Sequence, residues 1–122
     1  MKIKKVLVIG AGTMGGGIAQ LCAQQGLEAV ISDISLELSD GAKSRIATGM
    51  AKRVEKGKIT EEDKADVLSR ISTAGDLSPA ADVDIVIESV IENLEIKKKV
   101  FAELDKLARP EVILVTNTTS LS

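Results

Sequence analysis

The stretch Val6-Leu7-Val8-Ile9-Gly10-Ala11-Gly12-Thr13-Met14-Gly15 decides the fold. Four consecutive apolar residues, β-branched except for Leu7, read as a strand buried on both faces, as in a parallel sheet. A glycine-rich turn follows at once. Ile18, Leu21, Cys22 and Gln25 then set a helical spacing that runs to Gly26. Strand, G-x-G-x-x-G and helix in that order form the dinucleotide-binding arrangement. Gly10 permits the tight turn, Gly12 lets backbone approach a pyrophosphate, and Gly15 lets the helix close on the strand. The helix N-terminus offers unpaired N–H groups and a partial positive charge to phosphates.

The bare glycine pattern is weak by itself, and two features strengthen it. Gly15, Gly16 and Gly17 fall in the first helical turns, where each glycine costs roughly 1 kcal/mol against alanine. Asp33 closes the next apolar run, Ala29-Val30-Ile31-Ser32, about 20 residues after the glycines, where a carboxylate can accept from a ribose diol. No arginine neighbours Asp33 in the sequence to hold a 2′-phosphate, which favours NAD over NADP.

Composition narrows the classes. The 122 residues suit one domain with a real core. A net charge of −2 gives no bulk electrostatic case for nucleic acid or a membrane surface. No apolar run approaches the roughly 20 residues that span a bilayer. Met1 to Lys5 lead straight into the first strand without a signal peptide's apolar region, so the expected location is cytoplasmic. Cys22 is the sole cysteine, which excludes an internal disulfide and reads as a small core residue. There is no histidine, so no imidazole can serve as acid, base or metal ligand. Phe101 is the only aromatic residue, so an adenine ring would have to sit between aliphatic side chains.

Beyond Asp33 a long helix is expected from Leu36 to Lys56, with Gly57 in the left-handed position that ends it. Ala42, Ile46, Met50 and Val54 form its inward face, and Arg45, Gly49, Lys52 and Lys56 a separate basic stripe. That stripe is either a solvated face or a seat for an anionic group such as substrate phosphates. Thr60-Glu61-Glu62-Asp63 resembles a capping box that opens a second helix, making a hairpin that projects from the sheet. Ile71 to Ala74 suits a short strand. Gly75 to Pro79 reads as a loop and Ala80 to Val83 as the approach to a further strand, Asp84 to Glu88. Ser89 to Glu92 follow as a loop. Asn93 caps a helix to about Ala108, with Val100, Phe101, Leu104 and Leu107 buried and Lys97, Lys98, Lys99, Glu103 and Lys106 mostly solvated. Val112 to Val115 is the last strand.

Strands alternating with helices define an α/β fold of the Rossmann type, a doubly wound and mainly parallel sheet. The unusual residues then gather at strand carboxyl ends: the glycine loop, Asp33, Glu88 to Glu92 and Asn117 to Ser120. Ligands of open α/β sheets bind on that rim.

The sequence resembles the NAD-binding domain of the 3-hydroxyacyl-CoA dehydrogenases, in particular the bacterial 3-hydroxybutyryl-CoA branch. The resemblance rests on Val8 to Gly15 with Gly17-Ile18-Ala19-Gln20, Asp33, Lys56-Gly57-Lys58-Ile59, Ala80 to Asp84, Val86-Ile87-Glu88, Glu92 to Lys97, and Asn117-Thr118-Thr119-Ser120-Leu121. It implies hydride transfer between NAD(H) and C3 of a short-chain 3-hydroxyacyl- or 3-oxoacyl-CoA, in fatty acid and butanoate metabolism. It implies cofactor contacts at Gly10, Ala11, Gly12, Thr13, Met14, Gly15 and Asp33, and at Glu92, Lys97, Asn117 and Thr119 by the nicotinamide half. Substrate contacts are implied at Thr119, Lys52 and Lys56, the two lysines holding coenzyme A. Residues 1–122 would be the NAD-binding domain, without the C-terminal helical domain through which the family dimerises. The family's catalytic histidine–glutamate pair has no counterpart in this chain, so the chain alone is expected to be inactive. Thr119 stands where the family usually has serine, and Gly49 where it has a coenzyme A contact. Other readings left open are a non-catalytic NAD-binding module and another NAD-dependent oxidoreductase with this cofactor domain. A methyltransferase also uses a glycine turn and an acid after its second strand, but the Glu92 and Thr119 motifs argue against it.

Overall fold

The computed structural model describes residues 2–89 and 93–117. Its elements run β1 (Lys5–Ile9), α1 (Thr13–Gln24), β2 (Glu28–Ser32), α2 (Leu36–Glu55), α3 (Glu61–Ser69), β3 (Ile71–Ala74), a 3-10 turn (Ser78–Asp82), β4 (Ile85–Ser89), α4 (Leu94–Leu107) and β5 (Ile113–Asn117). The strands form one sheet in the order β3-β2-β1-β4-β5, and every neighbouring pair is parallel. The chain builds β1, β2 and β3 outward in one direction, then returns to lay β4 and β5 on the other side of β1. The reversal between β1 and β4 is the topological switch point, where open α/β sheets leave a crevice.

β1 is buried on both faces, as its composition predicts. Val6 and Val8 join Ala29, Ile31, Ala42, Ile46 and Met50 in the core under α1, α2 and α3. Leu7 and Ile9 join Val30, Val86 and Leu104 in the core under α4. Two helical layers therefore cover the central strands.

The helix α1 packs on the sheet through its small residues. Its buried face is Gly15, Gly16, Ala19 and Ala23, while Leu21 points to solvent. Small residues bring α1 down onto the sheet, and a leucine on that face would hold it off. Cys22 is half-buried, and desolvation pushes its thiol pKa up, which keeps it a packing residue. The α2–α3 pair forms as expected. Gly57 takes φ +71° just past the end of α2. Thr60 and Asp63 complete a reciprocal capping box, both bonds at 3.0 Å. The tip at Lys56, Gly57 and Lys58 is exposed, and Val67 anchors the base in the core. Between the loop and β4, Ser78 to Asp82 form a 3-10 turn with Pro79 in its first positions. Ser89 belongs to β4 rather than to the loop after it. Asn93 accepts from the N–H groups of Glu95 and Ile96, a cap worth about 1 kcal/mol. At the sheet edge, β5 leaves Ile113, Leu114 and Val115 exposed, so apolar surface on both of its faces is open.

The amino end of the sheet is tied by Asp84. Its carboxylate accepts from Lys4 N–H at 2.8 Å and Lys5 N–H at 3.0 Å, and pairs with Arg109 at 2.7 Å. The Lys4 N–H, then Arg109, then the Lys5 N–H hold its pKa down at about 2. A depressed folded-state pKa stabilises above the unfolded value of about 3.9. That stabilisation is lost as pH falls through about 2. Asp84→Asn should therefore melt at a lower temperature than the parent at neutral pH. The gap should close as both are acidified through this window, which a thermal melt followed by circular dichroism at successive pH values will read.

Candidate functional site

The glycine loop joins β1 to α1 at the carboxyl rim, and its backbone is fixed from several sides. Gly10 adopts φ +113°, a region closed to most side chains, and its N–H donates to Ser32 O at 2.8 Å. A Cβ at Gly10 would lie 2.5 Å from Ser89 O, and one at Gly15 would lie 1.8 Å from Gly10 O. Both glycines are demanded by the protein's own packing. Gly12 differs: among the described residues nothing lies within 4 Å of a Cβ placed there. The fold leaves that space open, over the N-terminus of α1. Gly12 is the N-cap and brings no side chain to it, and the first turn carries no acid. The N–H groups at this end thus face outward with the helix's positive end, the arrangement that receives an anion.

Asp33 follows β2 and turns toward this loop. Its Oδ2 accepts from Ala11 N–H and its Oδ1 from Ile34 N–H, both at 2.7 Å. The carboxylate is therefore oriented beside the glycine turn before any ligand arrives. Beside it opens a cavity of about 370 Å³ whose walls include Ile9, Ile34, Leu77, Ile96 and Val100. No aromatic side chain lines it, in keeping with a flat ring held between aliphatic groups.

Arg45 was not assigned to the site from the sequence, and for Ser89 and Glu88, already placed on the rim, the contacts were not foreseen. Arg45 leaves its basic stripe and donates to Ala11 O at 2.6 Å, so Ala11 is held by Asp33 on its N–H and by Arg45 on its carbonyl. Only the stripe hinted at this; the sequence separation hid the contact. Ser89 donates to Ile9 O at 3.1 Å and fills the space against Gly10 and Gly15. Nothing in the local sequence signals that role. Glu88, fully buried, pairs with Lys97 at 3.0 Å. This corrects the expectation of a mostly solvated Lys97, whose ammonium also lies 5.8 Å from the Phe101 ring centre. A carboxylate closing an apolar strand requires a cation, and the next helix supplies it.

Gly10, Ala11, Gly12, Thr13, Met14, Gly15 and Asp33 thus come together on one rim, with Lys97 at the first turns of α4. Asn117 closes β5 in register with Ser89. Lys52 and Lys56 are exposed farther along α2, about 10 and 16 Å beyond Arg45 along its axis. Glu92 and Thr119 lie outside the described residues.

A parallel sheet with a glycine turn at its switch point and a fixed acid after the second strand defines a dinucleotide-binding Rossmann domain. Comparison with known proteins makes the assignment narrower. Residues 5–122 match the family model of the 3-hydroxyacyl-CoA dehydrogenase NAD binding domain, and the chain belongs to that family. It is similar to a 3-hydroxybutyryl-CoA dehydrogenase of Bradyrhizobium diazoefficiens, 43% identical over 98% of this chain and 41% of that protein. A 3-hydroxyadipyl-CoA dehydrogenase of Escherichia coli is 39% identical over 100% of this chain and 26% of its own length. The crystal structure of (S)-3-hydroxybutyryl-CoA dehydrogenase from Ralstonia eutropha superposes with a TM-score of 0.92 at 39% identity, covering 99% of this chain and 43% of that one. The chain therefore spans less than half the length of these relatives. NAD is the family's cofactor, and the open space at Gly12, the oriented Asp33 and the aliphatic cavity fit it. Among the described residues no helix is long and apolar enough to cross a membrane, and no cluster suits a metal ion.

Proposed function

We propose that residues 1–122 are the cofactor-binding domain of an NAD-dependent 3-hydroxyacyl-CoA dehydrogenase acting on short-chain substrates. Asp33 carries this reading: its carboxylate is held at the glycine turn by Ala11 N–H, beside an aliphatic cavity. Asp33 grips the adenosine ribose, and the adenine ring enters the cavity between Ile34, Leu77, Ile96 and Val100. The diphosphate lies against Gly10 to Gly15 at the end of α1. Glu92, Lys97, Asn117 and Thr119 serve the nicotinamide half, with Thr119 also touching substrate. When bound, NAD supplies the hydride acceptor; the protein supplies placement and electrostatics. Lys52 and Lys56 hold the anionic coenzyme A portion. The whole enzyme is a cytoplasmic homodimer that pairs through its helical second domain, and the family's histidine–glutamate pair moves the proton.

Titration of the chain with NADH, and an NADH-oxidation assay with acetoacetyl-CoA, test this. Binding of NADH without useful turnover is expected, since the chain has no histidine and imidazole proton transfer typically contributes about 10²–10⁴-fold. No NADH binding, or robust turnover by the chain alone, would contradict the reading. In the whole enzyme, replacing Lys52 and Lys56 together by alanine should weaken acetoacetyl-CoA about tenfold and leave NADH affinity unchanged. An equal loss for both ligands would remove the lysines from the substrate site.

A further inference from the structure

Arg45 makes a contact that the stability of the fold does not require. It is an exposed residue of α2, and its guanidinium lies over Gly41 and donates to Ala11 O at 2.6 Å. The helix α2 is already packed through Ala42, Ile46 and Met50. A single hydrogen bond from an exposed side chain adds little net stability. What the bond does is fix the direction of one peptide plane.

The Ala11 carbonyl and the Gly12 N–H belong to the same peptide group. A trans peptide is planar, and its C=O and N–H point in opposite directions. Holding the carbonyl toward Arg45 therefore aims the Gly12 N–H away from it. Among the described residues that N–H has no hydrogen-bond partner, and Gly12 is the N-cap of α1. Asp33 holds the preceding peptide, through Ala11 N–H, and does not touch this one. Gly12 does not restrain it either. Its φ is −71°, and a half-turn of the peptide would carry φ to a positive value, which glycine adopts at no steric cost. The residue that gives a diphosphate room thus also gives this peptide two orientations. One presents an N–H donor to an anion. The other presents a carbonyl oxygen, which repels it.

We propose that Arg45 is a positioning residue for the cofactor's diphosphate, acting by locking the Ala11–Gly12 peptide with its N–H toward the ligand. This rests on the cofactor reading above. Arg45→Met and Arg45→Gln lack a donor at that reach and release the peptide. Each weakens NADH and ADP about tenfold, the loss of one hydrogen bond to a charged group. Adenosine, which has no phosphate, binds the variants as it binds the parent.

The test is titration of the 122-residue chain and both variants with NADH, ADP and adenosine, after thermal melts confirm folding. The titrations are run at low salt and at about 1 M salt, where through-space charge effects are screened. With isotope-labelled glycine, the Gly12 amide resonance reports the peptide directly: it moves downfield when ADP binds the parent and moves less in Arg45→Met. A loss of NADH and ADP affinity that persists at high salt, with adenosine unaffected, supports the proposal. Parental NADH affinity in a folded variant overturns it, as does an equal loss for adenosine. A loss that vanishes at high salt also overturns it, because that marks a charge acting on the diphosphate from a distance rather than a fixed peptide. So does a Gly12 resonance that responds to ADP equally in the parent and in Arg45→Met. If Arg45→Met does not fold, Arg45→Gln carries the same readings. Failure of the parent to bind NADH would instead count against the cofactor reading itself.

Discussion

Gly15→Ala is expected to abolish measurable NADH binding and to destabilise the domain severely. The added methyl would stand 1.8 Å from Gly10 O and 2.9 Å from both Gly10 C and Ser89 Oγ. Two of those three atoms are backbone, and Gly10 is itself held by its N–H to Ser32 O and by its positive φ. A flexible side chain could move aside; this loop cannot without lifting α1 from the sheet. Overpacking a core costs typically 1–3 kcal/mol, and a clash with fixed backbone belongs at or above the top of that range. Gly12→Ala provides the contrast. Among the described residues nothing stands within 4 Å of its added methyl, so the melting temperature should change little. NADH affinity should nevertheless fall about tenfold or more, because the methyl occupies the approach to the α1 N-terminus. Thermal melts paired with NADH titrations separate the two effects. A Gly15→Ala protein with parental stability would show that α1 does not rest on Gly10 as described.

Asp33→Ala should weaken NADH by about 100-fold and weaken AMP and ADP-ribose by a similar factor. The substitution removes the acceptor for a ribose diol and also strips Ala11 N–H and Ile34 N–H of their partner. Hydrogen bonds to a charged group are worth about 1.5–3 kcal/mol, and each 1.4 kcal/mol is tenfold in affinity. Discrimination should suffer as well. A fixed carboxylate repels a 2′-phosphate, so the preference for NADH over NADPH should shrink in the variant. Fluorescence titration with NADH and NADPH, with AMP and ADP-ribose read by competition against NADH, measures these losses. An Asp33→Ala protein that keeps its NADH affinity would show that the acid serves only the glycine turn.

Much of this domain is legible in its residues. The apolar run of β1 announces a strand buried on both faces, and both faces are filled. Local chemistry places Gly57, the Thr60–Asp63 box and the Asn93 cap, because each is settled within a few residues. The acid after β2 is readable from its spacing to the glycines. Family membership is readable too, and the family model covers nearly the whole chain.

Other features depend on distance in the chain rather than on local pattern. Helical spacing marks α1 as a helix, but only the close contact between α1 and Gly10 shows that its fully buried residues are Gly15, Gly16, Ala19 and Ala23. The sequence separation between Arg45 and Ala11 concealed the second clamp on the loop. Lys97 sits in a run of three lysines, and only the fold shows that it turns inward to Glu88 while its neighbours Lys98 and Lys99 stay exposed.

By itself the sequence determined the strand–turn–helix unit, the caps, the alternation that makes the sheet parallel, and the rim where polar residues collect. These follow from period, propensity and backbone freedom, which act over a few residues. The tertiary structure alone decided which charges meet and which glycines have no room for a side chain. Those outcomes depend on the distance between segments far apart in the chain, and that distance exists only once the sheet has brought them together.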